Sequence, residues 1–420
     1  MYHVRTMRVM TFLLAMLFFS ACASNSAPPI KLKSDQGALW GQLETVSISQ
    51  SQVLGEHLLL STDLGLLQLS FSTTQPQAKF MIPSKEMILL HGIYPSQEAS
   101  KLQYFYVKNS RLRFFQISLP TDSLLPKHTT QDTISTKKYG ALLDGITPGR
   151  HVFAKDASSL YLARYAQLAQ FKVGEKAKDT FHMPNFASYL VTDQNYLYYR
   201  SYEREKTSSH VMACVDMQES KEVWRKYYGP DHQAWYDIAD SFPVISKEDQ
   251  LYHIIRAYPL ENYEKEGLFL VEHIDKSNGE VLNSFQFATS KAIASEIPTG
   301  PMIIQEELLL GEIDLPKSLS LLDMNANKIL WTQQFDAPVL DMLYDSLQKR
   351  WVLLMGDASI IALDKLSGEK LIELPPLDFS AQSFSYGQLH ITEKGDFVGH
   401  LNNQEAYTVP RAVFFYRPAP

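Results

Sequence analysis

Several features that would define common protein classes are scarce or missing in this chain. Only two cysteines occur in 420 residues, which excludes a disulfide-stapled scaffold. Outside the first 21 residues there is no sustained 3.6-residue apolar period, which excludes a helical bundle or helical solenoid. Basic residues number 39 against 46 acidic ones, which excludes nucleic-acid binding driven by charge. A hydrophobic fraction of 45% still supplies a large core, so the sequence predicts a globular β-rich body.

Compact catalytic signatures are also missing. The chain has no G-x-S-x-G elbow, no phosphate-binding P-loop and no H-E-x-x-H zinc motif. Stretches that fit S-x-x-K begin at Ser135, Ser346 and Ser367, without the companion motifs of that chemistry. Four side chains of metal-ligating type lie close together without the spacing of a known site, at Asp231, His232, Asp237 and Asp240. We therefore predict no catalytic residue, no metal and no cofactor.

The N-terminal residues 1–21 form a separate unit. Arg5 and Arg8 precede the apolar run 10–19, and no acidic residue interrupts them, which is typical of a secretory signal peptide. The apolar run is too short to span a bilayer by itself. Small residues, Ser20 and Ala21, stand directly before Cys22. This arrangement predicts cleavage of the signal at that point.

The tetrapeptide at 19–22, Phe-Ser-Ala-Cys, resembles the lipobox of bacterial lipoproteins. The resemblance implies that Cys22 becomes the acylated first residue, and the absence of Asp after it implies sorting to the outer membrane. Without Arg5 and Arg8 the mature chain has 37 basic and 46 acidic residues, a formal side-chain charge of −9. Cys214 then has no intramolecular partner, and we predict an inert buried thiol.

The sequence divides the mature chain into two parts. Residues 22–37 are rich in Ser, Pro and Lys and lack an apolar period, which predicts a lipidated, flexible tether. Strand-like segments follow one another from Ala38 onward, so we predict a single β-domain over 38–420.

One phrase recurs in the body: an apolar strand, an Asp, a polar turn and a second strand. Its best copies are centred on Asp216, Asp275, Asp323 and Asp364. Ser, Gly or Asn stands four places after each Asp, and it is Gly at Gly279 and Gly368. An Asp can hold such a turn through an Asx hydrogen bond, and Gly accepts the positive φ that the turn requires.

Weaker copies extend the repeat to eight anchor positions, at 70, 118, 170, 216, 275, 323, 364 and 402. Their spacing of roughly 40–50 residues fits blades of four strands. The sequence predicts an all-β fold, a single closed β-propeller of eight four-stranded blades, with seven as the alternative. An open array would expose sheet edges, so we expect residues 38–40 or 406–416 to supply the outer strand of a blade shared by both termini.

The repeat resembles the PQQ-like β-propeller repeat, whose pattern runs roughly A-L-D-x-x-T-G-K-x-x-W. Trp224 and Trp331 stand eight residues after their Asp, where that repeat places a docking tryptophan. Only two copies keep the Gly, and the first three units and the last keep little beyond the strand pattern. The resemblance implies that these turn and tryptophan residues have structural roles.

A lipobox combined with such repeats resembles the BamB-type lipoproteins of the outer-membrane β-barrel assembly machinery. The resemblance implies a non-enzymatic, membrane-anchored scaffold that faces the periplasm and binds envelope proteins. A quinoprotein-like dehydrogenase or a propeller that binds a small ligand is the alternative. The segment 227–240 exceeds the repeat length and carries Trp235 and Tyr236, which we predict to contact a partner because such aromatics are favoured in interface hot spots.

Overall fold

A computed structural model describes much of the chain between residues 30 and 417, and every regular element in it is a β-strand. Among these residues no helix has the length and apolar character needed to cross a membrane. The signal segment 1–21 and the predicted lipid site Cys22 lie outside the described part of the chain. Within 30–417 the description omits 36–37, 44–47, 71–76, 85–87, 89, 96–100, 110, 120–126, 136–151, 157–158, 165–166, 173–174, 177, 183–187, 194, 204–208, 229–235, 247–248, 260–266, 290–301, 305–306, 312–316, 327, 378–383 and 403–410.

The strands form eight antiparallel sheets, numbered here in chain order, and the first four contain consecutive strands. Sheet 1 contains β3 (Ile48–Leu54), β4 (His57–Thr62), β5 (Gly65–Ser70) and β6 (Gln77–Pro83). Sheet 2 contains β7 (Leu90–Pro95), β8 (Lys101–Lys108), β9 (Arg111–Ser118) and β10 (Lys127–Ser135). Sheet 3 contains β11 (Val152–Asp156), β12 (Ser159–Arg164), β13 (Gln167–Lys172) and β14 (Lys178–His182). Sheet 4 contains β15 (Ser188–Asp193), β16 (Tyr196–Glu203), β17 (Ser209–Asp216) and β18 (Lys221–Tyr228).

Sheets 5 to 7 repeat this plan, and sheet 8 departs from it by taking strands from both ends of the chain. Sheet 5 contains β19 (Tyr236–Ile245), β20 (Leu251–Pro259), β21 (Gly267–Ile274) and β22 (Val281–Thr289). Sheet 6 contains β23 (Met302–Ile304), β24 (Glu307–Gly311), β25 (Ser318–Asp323) and β26 (Lys328–Gln334). Sheet 7 contains β27 (Val339–Asp345), β28 (Arg350–Met355), β29 (Ile360–Asp364) and β30 (Lys370–Leu374). Sheet 8 has the order β1 (Ile30–Asp35), β2 (Ala38–Leu43), β33 (Arg411–Tyr416), β32 (Phe397–Asn402) and β31 (Tyr386–Ile391).

The burial of a strand follows its place in its sheet. Every residue of β4 and β5 is buried, because adjacent sheets cover both faces, and such strands read as apolar runs such as Leu58-Leu59-Leu60. Outer strands are partly exposed: in β26 only Trp331 is buried. The all-β prediction is therefore confirmed, and the apolar runs that suggested it form the middle of the sheets.

Apolar layers join neighbouring sheets face to face. One layer packs Leu59 of sheet 1 with Tyr104 of sheet 2, and another packs Val352 of sheet 7 with Phe414 of sheet 8. The first strands of adjacent sheets also contact each other, as β3 does with β7 and β15 with β19. Sheets 1 and 8 meet in the same way: β3 contacts β31, and Leu58 and Leu60 pack with Val398, Val413 and Phe415.

Sheet 8 meets one expectation of the sequence analysis and corrects another. The expectation that the termini share a sheet is met, since Ala38–Leu43 pairs with Arg411–Tyr416. The predicted tether over 22–37 is too long, because Ile30–Asp35 is a strand paired with Ala38–Leu43. The alternation of Ile30, Lys31, Leu32 and Lys33 is typical of a strand, but it is too short to stand out beside the Ser- and Pro-rich residues that precede it. The β-body therefore includes Ile30–Asp35 in addition to the predicted residues from Ala38 onward.

The eight anchor positions fall in eight different sheets. Seven of them lie in or directly after the third strand, as the Asp216 anchor does at the end of β17. The anchor at 402 is the exception, because Asn402 ends β32, the second strand of sheet 8. The third strand there is β33, and the weak motif V-G-H-L-N matched the wrong strand of its unit.

Candidate functional site

The four predicted Asp residues hold the turn between the third and fourth strands. Asp364 Oδ1 accepts the backbone N–H groups of Leu366 and Ser367 at 2.9 and 2.8 Å. Asp216 does the same for the two equivalent N–H groups of its own turn. Asp323 accepts one backbone N–H, and Asp275 accepts both the N–H and the hydroxyl of Ser277. These bonds lower the pKa of the Asp364 carboxyl, chiefly through the Ser367 N–H. The Asp side chains therefore fix turns.

In the three copies where the structure describes it, the position four residues after the Asp has a left-handed backbone. Gly279 has φ = 77° and Gly368 has φ = 71°. Ser220 occupies the same place after Asp216 with φ = 54°, a conformation that Gly adopts at no steric cost. The repeat tolerates the loss of Gly because the Asp hydrogen bonds still hold the turn.

Each predicted tryptophan docks on the turn of the next sheet. Trp224 of sheet 4 donates its Nε1–H to the Lys276 carbonyl at 2.9 Å. A Cβ added to Gly279 would lie 2.6 Å from the Trp224 ring, so only Gly allows this approach. Trp331 of sheet 6 repeats the arrangement: its Nε1–H donates to the Lys365 carbonyl at 3.1 Å, and a Cβ added to Gly368 would lie 2.6 Å from its ring.

A β-bulge before each tryptophan explains the spacing of eight residues, and the sequence analysis missed it. Glu222 pairs with Val215 but Trp224 pairs with Cys214, so Val223 is the extra residue. Without this residue the register would change by one and the indole would leave the face it shares with Cys214 and Tyr198. The same shift precedes Trp331 in sheet 6.

The predicted partner-contact segment 227–240 is only partly a loop. Tyr227 and Tyr228 are the last two residues of β18 in sheet 4, and Tyr236 is the first residue of β19 in sheet 5. Trp235 lies outside the described residues. The prediction of one long insertion is therefore wrong, because only 229–235 connects the two strands. The polar and aromatic composition of 227–240 hid the strand pattern at both of its ends.

Buried polar side chains form a network where sheet 1 meets sheet 8. Ser51 Oγ lies 2.8 Å from His390 Nε2 and 2.9 Å from His400 Nδ1, and the Ser51 N–H donates to Gln388 Oε1 at 2.7 Å. Burial lowers the pKa of His390 to about 4 and that of His400 to about 3. Both imidazoles are therefore neutral at pH 7.

The first strand of sheet 1, β3, also connects this sheet to sheet 2. His91 Nδ1 lies 2.8 Å from Ser61 Oγ and 3.0 Å from Ser49 Oγ. Gln50 Oε1 accepts the Ile93 N–H at 3.1 Å, and burial lowers the pKa of His91 to about 3. Polar contacts thus join sheet 1 to both of its neighbours.

A serine beside neutral imidazoles has the composition of a nucleophile and its base. Ser51, however, is 0% exposed, as is His400, so a substrate carbonyl has no access to the hydroxyl. This geometry suits an inter-sheet contact and does not form an open catalytic site.

A second polar cluster, called here the Glu272 cluster, lies between sheets 4 and 5. Glu272 is 4% exposed and accepts hydrogen bonds from Tyr228 OH at 2.6 Å and from Lys226 Nζ at 3.1 Å. His253 Nδ1 lies 3.9 Å from the same oxygen. Burial raises the pKa of Glu272, but these three neighbours outweigh it and lower that pKa to about 2. The carboxylate is therefore ionised and bridges the two sheets.

None of the remaining candidates lies in a reactive arrangement within the described part of the chain. Cys214 is buried, and burial raises the pKa of its thiol to about 12, as expected of an inert thiol. No group of three metal-ligating side chains occurs among the described residues. Two of the weighed metal candidates, Asp231 and His232, lie outside these residues.

Comparisons with known proteins find similar structures but no match to a protein-family model or a curated protein sequence. Sqt1 of Saccharomyces cerevisiae has a similar structure, with a TM-score of 0.57 and 8% identity over 90% of this chain and 98% of Sqt1. BamB of Moraxella catarrhalis has a TM-score of 0.51 and 8% identity over 93% of this chain and 99% of BamB. The computationally designed protein Ika8 has a TM-score of 0.54 and 9% identity over 89% of this chain and 97% of Ika8. These similarities show a β-propeller fold.

Proposed function

We propose that this protein is a membrane-anchored, non-enzymatic scaffold that binds envelope proteins during outer-membrane protein assembly. The observation that carries the proposal is the structural similarity to BamB over nearly the full length of both chains. The lipobox-like segment 19–22 predicts a location at the outer membrane, which agrees with this role. A shared fold alone would not be sufficient, because one fold hosts many functions.

The scaffold would be a closed ring in which sheets 1 to 8 are the eight blades. Support comes from the junction of sheets 1 and 8, where an apolar layer and the Ser51 hydrogen bonds join the first sheet to the last. The N-terminal strand β2 pairs with β33, so separation of these two sheets would also break pairing between the chain ends. A closed ring removes the two open sheet faces that an array would expose to water.

The lipid anchor is tested by Cys22→Ser. Since only the Cys22 thiol is in the lipobox position, we expect the variant to lose incorporation of radiolabelled palmitate and to accumulate as a precursor or a soluble form. Cys214→Ser is the matched control and should keep both lipid and membrane fractionation. Palmitate labelling of Cys22→Ser at the wild-type level would contradict the anchor.

The partner contact is tested by Trp235→Ala combined with Tyr236→Ala. If these aromatics lie at the centre of an interface, we expect co-purification of the envelope partner to weaken by about 2 kcal/mol, roughly thirtyfold in affinity. Tyr196→Ala is the control, because this 38% exposed tyrosine begins β16, at the opposite end of sheet 4 from the 229–235 connection.

Both variants are compared with wild type by circular dichroism before pull-down from detergent-solubilised membranes. Full recovery of every partner by the folded double variant would rule out this contact surface. A stoichiometric complex with pyrroloquinoline quinone and calcium, with dye reduction, would instead favour the quinoprotein-like dehydrogenase.

A further inference from the structure

The outer edge of sheet 8 differs from the outer edges of all the other sheets. Its outer strand β2 pairs with β33 over six consecutive residues without any shift of register. A fifth strand, β1, then pairs with β2 over six consecutive residues, again without a shift. Within the described part of the chain, sheet 8 therefore ends in two strands that are paired without a bulge.

In each of the seven four-stranded sheets the pairing of the outer strand with the third strand is interrupted. Bulges bend an edge strand, increase its twist and break its row of free backbone groups, which protects the edge against addition of another strand. The interruptions occur at third-strand positions Leu66/Leu67, Leu168/Ala169, Cys214/Val215, His273/Ile274, Leu321/Leu322 and Ala362/Leu363, and at Thr130/Asp132 of the outer strand in sheet 2.

We propose that the outer edge of β1 is a docking site for an extended segment of another polypeptide, which pairs with β1 as a further strand. Main-chain hydrogen bonds would supply the affinity of such strand addition, and alternate side chains the specificity. The chain already uses this mode once, because β1 itself is a strand added to the regular edge of β2. The proposal rests on strand register and is independent of the lipid anchor.

The residues of β1 define the chemistry of that segment. By the two-residue period of a strand, Lys31, Lys33 and Asp35 share one face, and Ile30 and Leu32 share the other. Opposite charges across a strand pair stabilise it, and like charges directly opposite destabilise it. The matching segment therefore alternates apolar residues with acidic residues placed opposite the two lysines.

A second copy of this chain fits the edge poorly. The antiparallel register that uses all six residues of both β1 strands places Lys31 opposite Ser34 and Lys33 opposite Leu32. The register centred on Lys33 pairs Lys31 with Asp35 but places Lys33 opposite its own counterpart, and the register centred on Ser34 pairs Lys33 with Asp35 over only three residues of each strand. A segment with acidic residues opposite both lysines therefore fits the edge better than a second copy does.

The proposal is tested with a benzophenone amino acid placed at Ser34 of the full chain in cells. Ser284 in β22 is the matched control, because it is an exposed serine on the outer strand of sheet 5, which carries a bulge. After irradiation we expect an adduct from position 34 and none from position 284. Mass spectrometry of the adduct should map the linked peptide to a segment of alternating acidic and apolar residues.

Charge variants test the specificity of this edge. Lys31→Glu with Lys33→Glu should reduce the adduct roughly tenfold, since two favourable pairs become repulsive. Lys31→Gln with Lys33→Gln adds no repulsion within β1 and should reduce the yield of the adduct to a smaller extent. This second variant replaces the first if the double Glu variant unfolds at a lower temperature than wild type. An adduct with a second copy or with residues 1–29 of the same chain would overturn the proposal. Equal adducts from positions 34 and 284, no adduct from 34, or adducts unaffected by charge would also overturn it.

Discussion

Trp331→Ala is expected to lower the free energy of unfolding by about 3–5 kcal/mol. The indole is 8% exposed and covers the turn of sheet 7, where its Nε1–H donates to the Lys365 carbonyl. Its ring fills the space that Gly368 leaves open, so truncation creates a cavity between sheets 6 and 7 and removes a hydrogen bond. Urea denaturation followed by circular dichroism at 222 nm and at 215 nm would measure the change.

Two further variants separate the causes. Ile329→Ala lies on the same outer strand but is 48% exposed, so its effect should stay within about 0.5 kcal/mol. Gly368→Ala keeps the indole but places a Cβ against it at a positive φ, and should also be clearly destabilising. A Trp331→Ala variant no less stable than Ile329→Ala would show that the indole does not hold the two sheets together.

The turn chemistry could be predicted from the sequence because it is local. An Asp followed four residues later by Gly specifies an Asx turn and a positive φ within one short segment, and the structure has both at Asp364 and Gly368. The strand β1 was missed for the opposite reason. Its partner β2 in turn pairs with β33, about 370 residues away in sequence, and nothing within Ile30–Asp35 records that pairing.

The inter-sheet polar contacts were also beyond the sequence analysis. Ser51 and His400 are separated by 349 residues, and a lone Ser or His in an apolar strand does not reveal its partner. The bulges follow from the Asp-to-Trp spacing of eight residues only when the strand pairing is known. With unbroken pairing, this spacing would place the indole on the face opposite to Cys214, which it contacts. The spacing by itself therefore predicted only a repeat.

Glu272→Gln should lower the free energy of unfolding at pH 7 by about 3 kcal/mol, because it removes a buried charge that hydrogen bonds from the Tyr228 hydroxyl and the Lys226 ammonium stabilise. The effect lies at the lower end for a broken buried pair, since the Lys226 side chain is 20% exposed and can be solvated. Glutamine keeps the size of the side chain, so the change reports mainly on charge. Tyr228→Phe removes only one hydrogen bond to the carboxylate and should cost about 1.5–3 kcal/mol.

The dependence on pH distinguishes this charge from a packing effect. The pKa of Glu272 is about 2 in the folded protein, below the value of about 4.3 expected for an unfolded glutamate. Its ionised form therefore contributes full stability above pH 4.3, and this contribution is lost as pH falls through 2. The difference in unfolding free energy between wild type and Glu272→Gln should accordingly be constant from pH 7 to 5 and shrink towards pH 2, as measured by urea denaturation at each pH. A difference that stays the same down to pH 2 would show that the ionised Glu272 carboxylate does not stabilise the contact between sheets 4 and 5.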